Sequence, residues 1–308
     1  MRLTELLEPE LRALVEQLPF TDLTAELVHR SRGLARQPPE PSVAVERTDH
    51  VVRGEPELVV RVNRPRGATG PLPCLYWMHG GGYVGASVDL DDPFFEALCP
   101  ALGIVSVSVD YRTAPETPYP GPLEDCYAGL RWVFEHDAEL GVDGDRVGVG
   151  GVSAGGGLAA ALALLARDRG EVAIAFQLLD CPMLDDRQIT PSSQLDGLPV
   201  WTRESNTFGW RSYLGDLHGR DDVPYTAAAA RADDLSGLPP AFVSVGGVDG
   251  FVDEDVDYAL RLNRAAVPTE LHVYPGLCHG YRMAPRCEAV QRAFRDRDEW
   301  LARAIRSR

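Results

Sequence analysis

Residues 146–158, Arg146-Val-Gly-Val-Gly-Gly-Val-Ser153-Ala-Gly-Gly-Gly-Leu158, have the composition of a buried strand running without a break into a helix. The helix continues through Ala154–Arg169, which is rich in alanine and leucine. A serine at such a strand-to-helix turn is held in a strained conformation with its hydroxyl exposed, and the turn closes only around small neighbours. Gly151 and Gly155 supply them. At the helix N-terminus the dipole also favours negative charge developing beside Ser153. The same letters fit a plain glycine-rich helix start. They also fit a dinucleotide-binding turn, with Gly148-x-Gly150, Ser153 in place of a third glycine, and Asp180 ending the next strand.

Upstream, the strand Cys74–Met78 leads directly into His79-Gly80-Gly81-Gly82-Tyr83. Consecutive glycines let a backbone come close to a reacting oxygen without a Cβ in the way. Preorganised N–H groups there are worth a factor of about 10²–10³ each when a carbonyl becomes tetrahedral. A strand-end HGGG before a GxSxG turn makes Gly81, Gly82 and Ala154 the candidate oxyanion donors. His79 is read as a brace for the loop rather than a base. A dinucleotide turn leaves this second loop unexplained.

Downstream, a serine nucleophile of this arrangement is followed in chain order by an acid and then a histidine. His272 and His279 follow Ser153 at a late strand. His272 lies within the expected strand Leu271–Tyr274, so its ring faces a side of the sheet. His279 comes after Pro275-Gly276-Leu277-Cys278, beyond the strand's carboxyl end, where a general base can reach a serine oxygen. Asp249 follows the strand Ala241–Val245 and the pair Gly246-Gly247, and it is the candidate acid. Asp253 and Glu254, one turn later, suit the start of a helix.

The rest of the chain supplies a frame for these loops. Helical spacing appears at Leu11, Leu14, Val15 and Leu18 and again from Leu23 to Val28, before a Pro-rich stretch at Gln37–Pro41. Ser42–Val52 and Glu57–Val62 read as antiparallel strands around a turn at Gly54–Pro56. Further strands are expected at Ile104–Val109, Arg146–Gly150 and Ala173–Leu179, and further helices at Leu123–His136, Asp253–Ala265 and Cys287–Ile305. Alternation of strands and helices predicts a mostly parallel sheet flanked by helices, with ligands at the carboxyl ends of its strands. Asp185–Tyr225 breaks that alternation and carries Trp201, Phe208, Trp210, Tyr213 and Tyr225. The chain is therefore read as one α/β domain over 1–308, with a helical cap from about 1–41 and 185–225. Tyr83, Trp201 and Trp210 are the expected walls of an apolar substrate pocket.

Composition narrows the partners. Among 308 residues, 44% are hydrophobic and 25% charged, ordinary for a globular protein and not for a disordered one. The formal charge is −16 and every one of the 30 basic residues is arginine, so a phosphate backbone is repelled and no nucleic acid is expected. No apolar run approaches the roughly 20 residues of a bilayer span. Met1–Leu18 alternates acids with leucines and does not read as a secretion signal. The cysteines at 74, 99, 126, 181, 278 and 287 show neither CxxC nor metal-like spacing. Most sit among apolar or small residues, which points to buried thiols in a reducing, cytoplasmic compartment and to no metal.

Taken together, the sequence resembles the hormone-sensitive-lipase-like family of bacterial esterases, which have the α/β-hydrolase fold. The matching motifs are His79-Gly80-Gly81-Gly82; Asp110-Tyr111-Arg112 with Ala114-Pro115-Glu116 and Pro118-Tyr119-Pro120; Ser153-Ala154-Gly155-Gly156; Asp249 with Asp253-Glu254; and His279-Gly280. They span roughly residues 75 to 281. The resemblance implies cofactor-free hydrolysis of short- to medium-chain carboxylic esters beneath a helical cap, through Ser153, His279 and Asp249 and a covalent acyl-enzyme. Asp110, Tyr111 and Arg112 would brace loops near the site. Members of that family often form homodimers; the sequence itself does not set the oligomeric state. Val152 departs from the pattern, since many relatives carry Asp before the serine. A non-catalytic small-molecule receptor would be expected to lack one of the three residues, and an amidase or carbamate hydrolase would share them all.

Overall fold

The computed structural model describes residues 3–18, 21–32, 43–54 and 57–306. The Pro-rich stretch at 37–41, residues 33–41 of the expected cap, and residues 55 and 56 of the expected turn lie outside them. Two short helices, α1 (Pro9–Gln17) and α2 (Ala25–Arg32), come first. Strands β1 (Val45–Val52) and β2 (Leu58–Pro65) then pair antiparallel, Val45 opposite Pro65. Next come β3 (Leu72–Met78), α3 (Asp92–Leu102), β4 (Val105–Asp110), α4 (Gly121–Glu135) and α5 (Asp137–Leu140). The chain continues through β5 (Val142–Val152), α6 (Ala154–Arg169), β6 (Gln177–Asp180), α7 (Arg203–Leu214), β7 (Ala241–Val248), α8 (Val252–Arg264), β8 (Thr269–Cys278) and α9 (Glu288–Ala304).

Among the described residues the strands form one eight-stranded sheet, in the order β1-β2-β4-β3-β5-β6-β7-β8. β2 meets β4 antiparallel, and every pairing from β4 to β8 is parallel. This is the α/β-hydrolase fold. Parallel strands covered on both faces read as continuous apolar runs, and Cys74–Met78 is buried throughout. Helix α6 is buried almost all round because it lies across the middle of the sheet, against β3, β5 and β6. The alanines keep it slim there, and Gly170 (φ 65°) ends it.

The register fixes where the functional loops emerge. Met78 pairs with Gly151, Val152 with Asp180, and Val248 with Cys278. The loops that follow β3, β5, β7 and β8 therefore leave the same edge of the sheet. They carry His79–Tyr83, Ser153, Asp249 and His279 in turn.

Three expectations need correction. β7 runs to Val248, so Gly246-Gly247 belongs to the strand that was expected to end at Val245. β8 runs to Cys278, so Pro275–Cys278 is strand and not loop. The two extensions support each other, because a bulge between Gly246/Tyr274 and Val248/Cys278 keeps the strands paired. The third correction is α3, which the sequence reading passed over. Pro93 and Pro100 look like breakers, yet Pro93 lies in the first turn, where its missing N–H costs nothing. Phe95, Leu98 and Cys99 form its buried face.

A group of acids is buried beside α8. Glu254 Oε1 accepts the backbone N–H groups of Leu184 (2.8 Å) and Asp185 (3.1 Å). Asp255 is 0% exposed, and neither of its oxygens finds a hydrogen-bond partner among the described residues. Burial pushes the Asp255 carboxyl well up, helped by the negative charge of Glu254, Asp249 and Asp180. The folded state thus holds a proton that the unfolded chain releases above the ordinary Asp range. Stability is then fullest in acid and is lost as pH rises through the raised value. Asp255→Asn has no proton to lose. Its melting temperature relative to wild type should climb steadily between pH 4 and pH 8, and a pH-independent difference in thermal scans would contradict this.

Candidate active site

Ser153 sits at the elbow between β5 and α6 with φ 58° and ψ −123°, a region that costs a non-glycine residue about 1–3 kcal/mol. Its backbone holds that shape from both sides. The Ser153 N–H donates to Asp180 O (2.9 Å), and its carbonyl accepts from Gly157 N and Met183 N (both 3.0 Å). The small neighbours are needed by contact, since a Cβ on Gly155 would collide with the carbonyl oxygens of Met78 and His79.

The hydroxyl of Ser153 lies 2.9 Å from His279 Nε2, and His279 Nδ1 lies 2.8 Å from Asp249 Oδ2. With Asp249 as a carboxylate, Nδ1 carries the hydrogen and Nε2 is left as the acceptor for the serine proton. The other oxygen of Asp249 accepts the Phe251 N–H (3.1 Å), which fixes the plane of the carboxylate. All three residues are nearly enclosed: Ser153 is 7% exposed, His279 6% and Asp249 1%. The His279 ring meets Phe251 edge-on at 5.0 Å and Trp201 at 6.0 Å. Tyr281, two residues on, donates to Asp180 Oδ1 (2.6 Å) and so ties the histidine loop to the end of β6.

The HGGG loop lies opposite. Gly82 (φ 61°) supports the indole of Trp201, and any Cβ there would strike the ring. His79 stacks on Tyr111 at 4.2 Å, and Tyr111 in turn donates to His79 O (2.7 Å). Arg112 grips Asp125 through Nε (2.8 Å) and Nη2 (2.7 Å). These residues brace loops. Ala154 N is the first N–H of α6 and has no acceptor within the helix. His272, by contrast, reaches Glu270 (2.9 Å) on its own strand. Asp253 accepts the Ser192 N–H (2.7 Å) near the start of α8.

A cavity of about 870 Å³ opens from Ser153 and His279. Gly80, Gly81, Gly82, Val152 and Trp201 line it near the serine; farther out it is walled by α3, Met283, Pro285 and Phe294. Val152 presents an apolar wall beside Ser153. Asp92 pins the first turn of α3 through Arg61 (2.8 Å) and Arg47 (3.3 Å).

Of the three aromatics expected to bind substrate, Trp201 lines this cavity and two do not. Tyr83 is 1% exposed, stacks on Tyr213 at 4.1 Å and donates to Met183 O (3.0 Å). Trp210 is 0% exposed and packs 5.2 Å from Tyr83. Both belong to the core that seats α7 behind the HGGG loop. Trp210→Ala should therefore cost about 3–5 kcal/mol in denaturant unfolding, through the cavity it leaves. A fully stable variant with altered substrate affinity would show the opposite.

The residues missed by the sequence reading are the cavity face of α3 and Arg282. The first had a signal in Phe94, Ala97, Leu98 and Ala101, spaced three and four apart behind Pro93; the second had none. Among the described residues, Cys181, Asp249 and His279 form the one group of metal-type donors, all within 4.8 Å of one another. Asp249 and His279 are already engaged with each other, and burial pushes the Cys181 thiol well up. As they stand, these atoms are arranged to hold a proton between Asp249 and His279. All six cysteines are buried and free. No helix among the described residues is long and apolar enough to cross a membrane.

The family described as alpha/beta hydrolase fold matches residues 75–283. Carboxylesterase NlhH of Mycobacterium tuberculosis is 37% identical over 283 residues, covering 89% of this chain and 88% of that protein. Among solved structures, a bacterial heroin esterase superposes with a TM-score of 0.91 at 37% identity, over 99% of both chains. Esterase LipW from Mycobacterium marinum gives 0.88 at 36% identity, over 99% of this chain and 98% of the other.

Proposed function

The chain belongs to the hormone-sensitive-lipase-like branch of the α/β-hydrolase family and is a carboxylester hydrolase, and from that premise we propose that it cleaves short- to medium-chain esters by acyl transfer through Ser153. The observation that carries this is the continuous chain of contacts from Ser153 Oγ to His279 to Asp249, at 2.9 and 2.8 Å.

His279 Nε2 takes the hydroxyl proton as Ser153 Oγ attacks the ester carbonyl, and Asp249 stabilises the imidazolium. The N–H groups of Gly81, Gly82 and Ala154 receive the oxyanion. The carbonyl re-forms, the alcohol leaves with the proton from His279, and the acyl group stays on Ser153. Water then attacks the acyl-enzyme, its proton passing to His279, and the acid leaves as Oγ recovers a proton. Charge develops at nearly buried side chains in a largely apolar cavity, where fixed dipoles act more strongly than in water.

The cavity's size suits a small organic ester. A cap from about 1–41 and 185–225 is part of the same proposal. In its support, Leu23 N donates to Ser205 Oγ (2.9 Å), Thr202 Oγ1 reaches Asp22 (2.7 Å), and Trp201 walls the cavity. The six buried thiols favour a reducing, cytoplasmic setting.

The test is labelling with a fluorophosphonate followed by peptide mapping, beside rates for p-nitrophenyl esters of graded acyl length. Phosphonylation at Ser153 and a maximum among short and medium chains are expected. An unlabelled Ser153 in a protein that still turns over ester would overturn the nucleophile assignment.

A further inference from the structure

The cavity has one polar wall that ester cleavage does not use. Asp91 Oδ2 accepts the indole N–H of the buried Trp77 (2.8 Å), and Asp91 Oδ1 pairs with Arg282 Nη1 at 3.1 Å. The Arg282 side chain is 18% exposed and Asp91's 4%. The Arg282 guanidinium lies over Phe94 at 4.8 Å and Trp77 at 5.9 Å, so ring faces and Asp91 together fix its position. Arg297 lies against the same Phe94 at 4.4 Å and is held by Asp298 through Nε (2.8 Å) and Nη2 (2.7 Å). All six residues except Trp77 line the cavity that contains Ser153 and His279.

A guanidinium offers five N–H donors. Among the described residues Arg282 has one ion-pair partner, engaged through Nη1, and it lines the cavity, so it has further donors to offer a bound molecule there. A buried ion pair is a weak stabilising device compared with apolar residues of similar volume. Positioned this way, it serves recognition better than it serves the fold.

Resting on the reading of this cavity as the substrate site, we propose that Arg282 selects esters carrying a second, uncharged oxygen acceptor away from the scissile bond. Such an acceptor is a carbonyl, ether or hydroxyl oxygen in the acyl or alcohol chain. Charge decides against an anion. Two guanidinium groups and two carboxylates make the wall neutral, and the chain as a whole carries −16. A carboxylate-bearing ester would bring its charge towards Asp91 and Asp298 while gaining no net positive potential. A neutral oxygen takes the free donors without that cost. A charge-assisted hydrogen bond of this kind corresponds to about ten- to hundredfold in kcat/KM.

The experiment is an oxygen scan. p-Nitrophenyl esters of equal chain length, with each CH2 in turn replaced by O, are compared with the plain alkanoate, each rate divided by that for hydroxide hydrolysis. The same scan is run on the alcohol chain of acetate esters. In wild type, one position in one scan is expected to exceed its alkyl parent about ten- to hundredfold. In Arg282→Met that peak is expected to fall to the level of its neighbours. The double variant Asp91→Asn/Arg282→Met is expected to do the same without leaving a buried charge unpaired. A flat profile in both wild-type scans would overturn the proposal, as would a peak that survives in the double variant. Faster cleavage of the p-nitrophenyl hemisuccinate than of the best neutral ester would replace it with an anion site. Wild-type turnover of the plain alkanoates reports on the parent proposal separately, because it does not involve the wall.

Discussion

Ser153→Ala is expected to lower kcat for ester hydrolysis by about 10⁴–10⁶, with melting temperature close to wild type. The size follows from what the serine supplies. Without Oγ there is no acyl-enzyme, and water must attack directly in a site shaped for a two-step reaction. Donors of the HGGG loop and α6 still polarise the carbonyl, so a residual acceleration of about 10³–10⁴ over water remains. The fold should tolerate the change, because the strained backbone at φ 58° is held by three main-chain hydrogen bonds that alanine keeps. Adding His279→Ala to Ser153→Ala should cost little more, since the two act as one unit. Near-normal turnover by purified Ser153→Ala would remove Ser153 as nucleophile, and multiplicative losses in the double variant would show that His279 acts independently of it.

Much of this site was legible because it depends on local chemistry at strand ends. Helix α6 begins and ends where composition placed it, since Ser153 and Gly170 punctuate it on either side. Ser153, Asp249 and His279 were separable from other candidates by chain order and by the end of the strand each follows. What was not legible depended on partners distant in sequence. Gly246-Gly247 looks like a joint, and only the bulged end of β8 makes it strand. Tyr83 and Trp210 announce burial, but sequence does not tell a cavity wall from the core behind it. Tyr213 supplies the stacking partner that settles the difference for Tyr83. Arg282 depends on a one-turn 3-10 helix, Tyr281–Met283, that turns it towards Asp91. Nothing in its own neighbourhood of the sequence encodes that meeting.

Asp249→Asn is the second large effect, an expected loss in kcat of about 10⁴ with the shape of the site unchanged. Asparagine matches the carboxylate in size, so a role confined to packing would leave activity nearly intact. The hydrogen bonds forbid that outcome. At present Oδ1 accepts the Phe251 N–H at 3.1 Å and Oδ2 faces His279 Nδ1 at 2.8 Å. The Phe251 N–H can only donate, so the amide must place its oxygen there and turn its NH₂ towards Nδ1. An NH₂ group can only donate in turn, which forces Nδ1 to become the acceptor and moves the imidazole hydrogen to Nε2. Nε2 then donates towards Ser153 and cannot take its proton. Asp249→Ala removes the carboxylate without imposing a tautomer, so Asn should be no better than Ala despite its closer shape. The comparison needs steady-state rates for both variants, with thermal unfolding to confirm that each is folded. Activity in Asp249→Asn within tenfold of wild type would mean that His279 is oriented by something other than Asp249.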